Sequence, residues 1–121
     1  MLFGNGNYRY EVEENWLQLK DEWNWGWIPA VACDSKDNVY IYSRSDRPLV
    51  IYDQQGKMLD TWGDDVLDSP GSHGIFIDQE DNVYCSTIGQ HCVFKFNSQG
   101  ELVLTLGTPG QTGANDGDPF N

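Results

Sequence analysis

Displaced by 44 positions, the chain matches itself without a gap: residues 29–63 align with residues 73–107, and nine of the 35 aligned positions are identical. Asp34, Asp37, Asn38, Val39 and Tyr40 return as Asp78, Asp81, Asn82, Val83 and Tyr84, and Gln55, Gly56, Thr61 and Gly63 return as Gln99, Gly100, Thr105 and Gly107. Other pairs keep their chemical type, among them Val31 with Ile75, Tyr52 with Phe96 and Met58 with Leu102. A period in the low forties with turn residues at fixed places indicates propeller blades, small sheets that bury their faces only against neighbouring sheets.

Each repeat divides into four short β-forming runs, which predicts strands at 30–33, 39–43, 49–53 and 58–62, and again at 75–77, 83–87, 93–97 and 102–106. Between the first two runs, 34–38 and 78–82 supply Asp and Asn side chains that cap their own backbone. Gly56 and Gly100 allow the positive φ of a hairpin turn. The fold class expected is all-β: two four-stranded blades plus an N-terminal strand at residues 8–12, where Tyr-Arg-Tyr-Glu-Val alternates. The chain then reads as a lead-in at 1–28, blade 1 at 29–63, a connecting loop at 64–72, blade 2 at 73–107 and a Gly-rich tail at 108–121 leading toward a third blade. Trp16, Trp23, Trp25 and Trp27 lie in an irregular stretch of the lead-in, and are expected to pack beneath a loop rather than form a ligand-binding aromatic patch.

Charge narrows the function classes. Nineteen Asp and Glu against seven Lys and Arg leave a formal net charge of −12, so the summed field repels phosphate backbones and anionic lipid. Neither nucleic acid nor a membrane is expected as a partner. No apolar run approaches the ~20 residues of a spanning helix, and the first seven residues lack the charge and apolar stretch of a secretory signal, so a cytoplasmic protein is expected. Cys33, Cys85 and Cys92 form an odd set with no Cys-x-x-Cys pair, which suggests neither a disulfide framework nor a zinc knuckle. Cys33 and Cys85 fall inside apolar strand runs and are expected to behave as small buried hydrophobes.

The Asp-x-x-Asp-Asn-Val-Tyr turn, the Gln-Gly before the fourth strand and the closing Trp-Gly or Leu-Gly resemble NHL repeats. With the Tyr-Arg-Tyr-Glu-Val start, the Trp-Gly-Trp-Ile-Pro lead-in and the Ser-His-Gly-Ile and Thr-Leu-Gly-Thr-Pro-Gly segments, the chain looks like the N-terminal part of a six-bladed NHL propeller. The group it resembles includes peptidyl-α-hydroxyglycine α-amidating lyase, which cleaves its substrate to an amidated peptide and glyoxylate using a metal held by channel histidines. The resemblance implies that His73, preceding Gly74 and Ile75, sits where that lyase has its first metal-ligating histidine. It also implies that Arg44 or Arg47, in the loop between the second and third strands, lies near the catalytic arginine. The plain alternative is a solvated charge paired with Asp46 or another acid. One imidazole falls short of the roughly three protein ligands of a catalytic zinc site.

Six blades of 44 residues need about 264 residues, and about three repeats are needed before an array is stable. Completion by self-association is therefore expected, with a trimer favoured and residues 8–12 seaming one chain to the next. Three copies of His73 would then share one channel, with zinc or calcium as the candidate ion. Residues 34–38 and 78–82 lack the spacing of an EF-hand, while Asn115-Asp116-Gly117-Asp118 clusters oxygens that could hold a cation. Gly4-Asn5-Gly6-Asn7 is no phosphate loop, since no Lys follows, and neither a nucleophile elbow nor a His-Glu-x-x-His pattern occurs. His91 is expected at the surface. Two functions are carried forward: a binding scaffold for a small-molecule or peptide ligand, without catalysis by this chain alone, and an amidating-lyase-like activity in a channel formed by the oligomer.

Overall fold

The computed structural model describes residues 1–18, 20 and 23–113. The chain is all-β, and its described residues form three antiparallel sheets of two, four and four strands. No helix among the described residues is long and apolar enough to cross a membrane. Blade 1 is a meander of β3 (Ala30–Cys33), β4 (Val39–Tyr42), β5 (Leu49–Tyr52) and β6 (Met58–Trp62), and blade 2 repeats it as β7 (Ser72–Ile77), β8 (Val83–Thr87), β9 (Cys92–Phe96) and β10 (Leu102–Leu106). The repeat extends to an irregularity: β6 carries an extra residue, Leu59, against β5, and β10 carries the equivalent Val103 against β9.

The hairpins turn where the identical residues lie. Asp34 Oδ1 accepts from the backbone N–H of Lys36 and of Asn38, both at 2.9 Å, and Asp78 Oδ1 accepts from Glu80 and Asn82 at the same distance. The Asn38 and Asn82 amides donate back to those carboxylates, as do the Tyr40 and Tyr84 hydroxyls. Asp37 and Asp81 adopt positive φ, a conformation that Asp tolerates better than most residues. The Asp34 and Asp78 carboxylates are thus occupied by donors of their own turns and of the strands that follow.

The two blades meet face to face, with β3 beside β7. Tyr40, Tyr42, Leu49, Ile51 and Trp62 from blade 1 interleave with Val83, Cys85, Cys92, Phe94 and Phe96 from blade 2 in one core, closed by Leu67 of the connection. Alternation explains which side is buried: β8 and β9 both run buried, half-buried, buried along the strand. Burial raises the Tyr40 and Tyr42 hydroxyls far above the ordinary tyrosine range, and the Tyr42 hydroxyl donates to the Ser86 carbonyl at 3.2 Å. At the rim, Asp81 joins the sheets. Its carboxylate accepts from the Ser35 N–H at 2.8 Å and from the Ser35 hydroxyl at 2.7 Å.

Blade 1 is covered on its other side as well. Ile41, Val50 and Tyr52 pack under Trp16, Leu17, Trp23 and Trp25, so β5 is buried at every position. This bears out the reading of these tryptophans as packing, and Trp27 alone among the four stands exposed. The segment docks through Trp16 Nε1 on the Gln54 carbonyl at 2.8 Å and the Gln18 N–H on the Gly56 carbonyl at 2.9 Å. A Cβ at Gly56 would sit 1.8 Å from the Trp16 carbonyl oxygen, while one at the repeat-equivalent Gly100 would sit 2.5 Å from the Trp62 ring. Both glycines therefore admit a neighbour where a side chain would exclude it.

Two local expectations change. Residues 8–12 do not stand alone, because β2 (Tyr8–Glu11) pairs with β1 (Leu2–Asn5) in a hairpin turning at Gly6 and Asn7. The glycines passed over as a phosphate loop supply its positive φ. Cys33 is exposed rather than buried, and β3 is an edge strand hydrogen-bonded to β4 alone. Cys85 is buried as expected, and its thiol is pushed up to about 12 by burial. The acidic cluster at residues 115–118 lies outside the described residues.

Phe96 sits between the blades with its ring 6.4 Å from that of Trp62, so Phe96→Ala should lower the unfolding free energy by about 3–5 kcal/mol in urea titration. A loss below about 1 kcal/mol would contradict tight packing at this seam. The Ser35 hydrogen bonds hold the Asp81 carboxyl below the usual range, so its stabilisation is present above the unfolded pKa and lost as pH falls through the lower folded value. Asp81→Asn should therefore lower the melting temperature at neutral pH and flatten its decline between about pH 5 and pH 2. Unchanged acid sensitivity would dissociate that decline from Asp81.

Candidate functional site

Of the residues singled out for chemistry, Arg44 reaches the backbone one residue before His73, and Arg47 turns away. Arg44 follows the buried β4, and its position is fixed from two sides. Its backbone N–H donates to the Trp27 carbonyl at 2.7 Å, and its guanidinium carbon lies 5.6 Å from the Trp27 ring centroid. Its Nε donates to the Ser72 carbonyl at 3.1 Å. Ser72 opens β7 and is buried, while the next residue, His73, is exposed. The lead-in, the β4–β5 loop and the start of β7 thus meet at Arg44, whose guanidinium lies between the Trp27 ring and the carbonyl of the residue before His73.

Arg47 faces elsewhere. Its Nη1 pairs with Asp64 at 3.2 Å with both side chains nearly half exposed, and its guanidinium lies over the Trp23 ring at 5.2 Å. With Trp23, Asn24, Ser45 and Asp46, Arg47 lines an open hollow of about 250 Å³. An exposed pair of this kind contributes little to stability, which matches the reading of a solvated loop charge. His91 is exposed in the turn between β8 and β9, as expected.

Arg44 presents its charge in a form suited to an anion. Stacked on Trp27 and fixed through Nε, Arg44 keeps its two Nη groups free of partners among the described residues, in the fork geometry that matches a carboxylate. A metal finds fewer donors, since no group of three His, Cys, Asp or Glu is placed for one among the described residues. His73 is one imidazole, and further ligands would have to come from other blades. Trp27 and Ser72 were not singled out from the sequence. Their roles depend on a meeting of three segments far apart in the chain, and Trp27 looked like the other tryptophans of the lead-in.

No family model matches the chain. Over 94 residues it is 37% identical to NHL repeat-containing protein 3 of Mus musculus, a match covering 69% of this chain and 26% of that protein. Over 114 residues it is 34% identical to the Homo sapiens protein of the same name, covering 86% of this chain and 32% of that protein. It is also 29% identical over 117 residues to peptidyl-alpha-hydroxyglycine alpha-amidating lyase 1 of Drosophila melanogaster, covering 74% of this chain and 21% of that protein. The chain therefore spans about a third or less of the length of these relatives. The 44-residue repeat, the two four-stranded blades with their shared Asp-x-x-Asp-Asn-Val-Tyr turns, and these similarities together place the chain in the NHL-repeat, propeller-like group.

Proposed function

We propose that this chain forms an arc of an NHL-type propeller serving as a recognition scaffold, with Trp27, Arg44 and His73 as its ligand-contacting rim. The observation that carries this reading is the fixing of Arg44 between the Trp27 ring and the carbonyl of Ser72, the residue before the exposed His73. In a molecule of net charge −12, a preorganised guanidinium is a local exception that selects an anionic group, and the neighbouring ring favours a flat or apolar attachment to it. A small molecule or peptide ending in a carboxylate has that chemistry. Completing the ring with copies of this chain would require Trp16, Trp23 and Trp25 to leave the face of blade 1 that they cover.

A second reading is favoured by one specific juxtaposition. His73 and Arg44 are the two positions at which the resemblance implies a metal ligand and a catalytic arginine, and Arg44 bonds the carbonyl of the residue immediately before His73. On this reading the assembled protein acts on peptidyl-α-hydroxyglycine, with a metal whose remaining ligands come from other blades.

Calorimetric titration with a short peptide, as its free acid and as its C-terminal amide, tests the first reading. The acid should bind more tightly. Arg44→Ala should weaken it about tenfold or more, as expected for a charge-assisted hydrogen bond, while Arg47→Ala leaves it unchanged. Equal binding of acid and amide, or indifference to Arg44→Ala, would remove the recognition role. Glyoxylate release from a peptidyl-α-hydroxyglycine, abolished by His73→Ala, would favour the second reading.

A further inference from the structure

We propose that Asn5 and Gly6, at the turn of the β1–β2 hairpin, form a site of spontaneous self-modification, where the main chain attacks the Asn5 side chain and converts it to aspartate or isoaspartate. Asn5-Gly6 is the one Asn-Gly pair in the sequence. The attacking atom is the Gly6 main-chain nitrogen, and a residue without a Cβ leaves its approach unobstructed. Gly6 takes the first position of the two-residue turn with a φ of 59°, as a type II′ turn requires. Such a turn ties together the residues on either side of it, so the N–H of its first residue is left unpaired. Neither that N–H nor the Asn5 amide has a hydrogen-bond partner among the described residues, and a Cβ on Gly6 would meet nothing within 4 Å. The hairpin pairs with neither blade, joins neither core cluster and is exposed at every position of both strands. A two-stranded ribbon of this kind is marginal alone, so the excursions that bring the nitrogen onto Asn5 Cγ cost little.

The other asparagines among the described residues are held or shielded. Asn38 and Asn82 donate through Nδ2 to Asp34 at 2.8 Å and to Asp78 at 3.0 Å. Each precedes a valine, whose branched Cβ crowds the same approach. Asn97 Oδ1 accepts from the Gln99 and Glu101 N–H groups at 3.0 and 2.9 Å, while its Nδ2 donates to Glu101 Oε2 at 2.6 Å. Asn7, Asn15 and Asn24 precede the bulky Tyr8, Trp16 and Trp25.

The step needs only the chain and water. As the Gly6 nitrogen bonds to Asn5 Cγ, the Cγ–Nδ2 bond breaks, the N–H proton leaves with the side-chain nitrogen as ammonia, and a cyclic imide closes. Water then opens the ring at one carbonyl to give aspartate or at the other to give isoaspartate, and nothing is oxidised or reduced. Either product adds negative charge to a chain of net charge −12. Isoaspartate also lengthens the main chain at the turn, which undoes the pairing of Leu2–Asn5 with Tyr8–Glu11, since turn length sets hairpin register.

Peptide mapping by mass spectrometry, after incubation of the folded protein at neutral pH and at a mildly alkaline pH, tests the proposal. Asn5 should gain the mass of an amide becoming an acid several-fold faster than Asn38, Asn82 or Asn97, with isoaspartate among the products. The rate should rise at the higher pH, because the attacking nitrogen must lose its proton. In denaturant the Asn5 rate should exceed the folded rate by less than about tenfold, the weak protection of a freely opening hairpin. Asn5→Gln should stop the build-up of a more acidic form on ion exchange, since the longer side chain closes an imide far less readily. Asn5 reacting no faster than Asn82, or more than about tenfold slower than in denaturant, would overturn the proposal. So would an acidic form that accumulates in Asn5→Gln at the rate of the unsubstituted protein.

Discussion

Everything in this chain depends on the seam between its two sheets. A four-stranded antiparallel meander of four- to six-residue strands has too little interior to bury its own side chains. Tyr42, Leu49 and Trp62 are hidden only because Cys85, Phe94 and Phe96 lie against them. At roughly 1.5–3 kcal/mol for each large apolar side chain removed from water, this one interface is the main favourable contribution to folding. The polar contacts across it are few and placed at its margins, with the Tyr42 hydroxyl on the Ser86 carbonyl and Asp81 on Ser35. They set the alignment of the sheets while the rings supply the burial.

The same requirement explains the tryptophans before blade 1. A blade has two faces, and the face of blade 1 turned away from blade 2 carries Ile41, Val50 and Tyr52. Trp16, Leu17, Trp23 and Trp25 cover it without being a sheet. Gly56 receives this segment much as Gly100 receives Trp62 of the neighbouring blade. Large rings suit the task because each covers a wide area while fixing few torsions. Arg44 belongs to the same economy of contacts, since it is held by the last tryptophan of that segment and by the first residue of β7. The candidate rim is thus a by-product of how the lead-in, blade 1 and blade 2 are clamped together.

Strand positions were legible residue by residue, since alternating apolar runs and Asx turns are local and the repeat supplied each of them twice. β4 and β8 start at Val39 and Val83, as the Asp-Asn-Val-Tyr turn implies. β7 was read too short, because Ser72, His73 and Gly74 carry no β-forming signal and join the sheet only through β8 and the Ser86 side chain. The β1–β2 hairpin was missed in half, because Met1 to Asn7 offers few apolar residues and its pairing is visible only when both strands are considered together. Cys33 was misjudged for a related reason: an apolar run locates a strand but does not say whether that strand is central or at an edge.

By itself the sequence determined that this chain is a pair of four-stranded units of one design, because strand period, turn chemistry and internal repetition are written in residues near one another. Tertiary structure decided which faces are covered and which residues share a rim. Those depend on contacts across separations of 28 residues, as between Arg44 and Ser72, or 46, as between Ser35 and Asp81. Such pairings are selected by the burial of whole sheet faces, a property of assembled surfaces that no short stretch of residues carries.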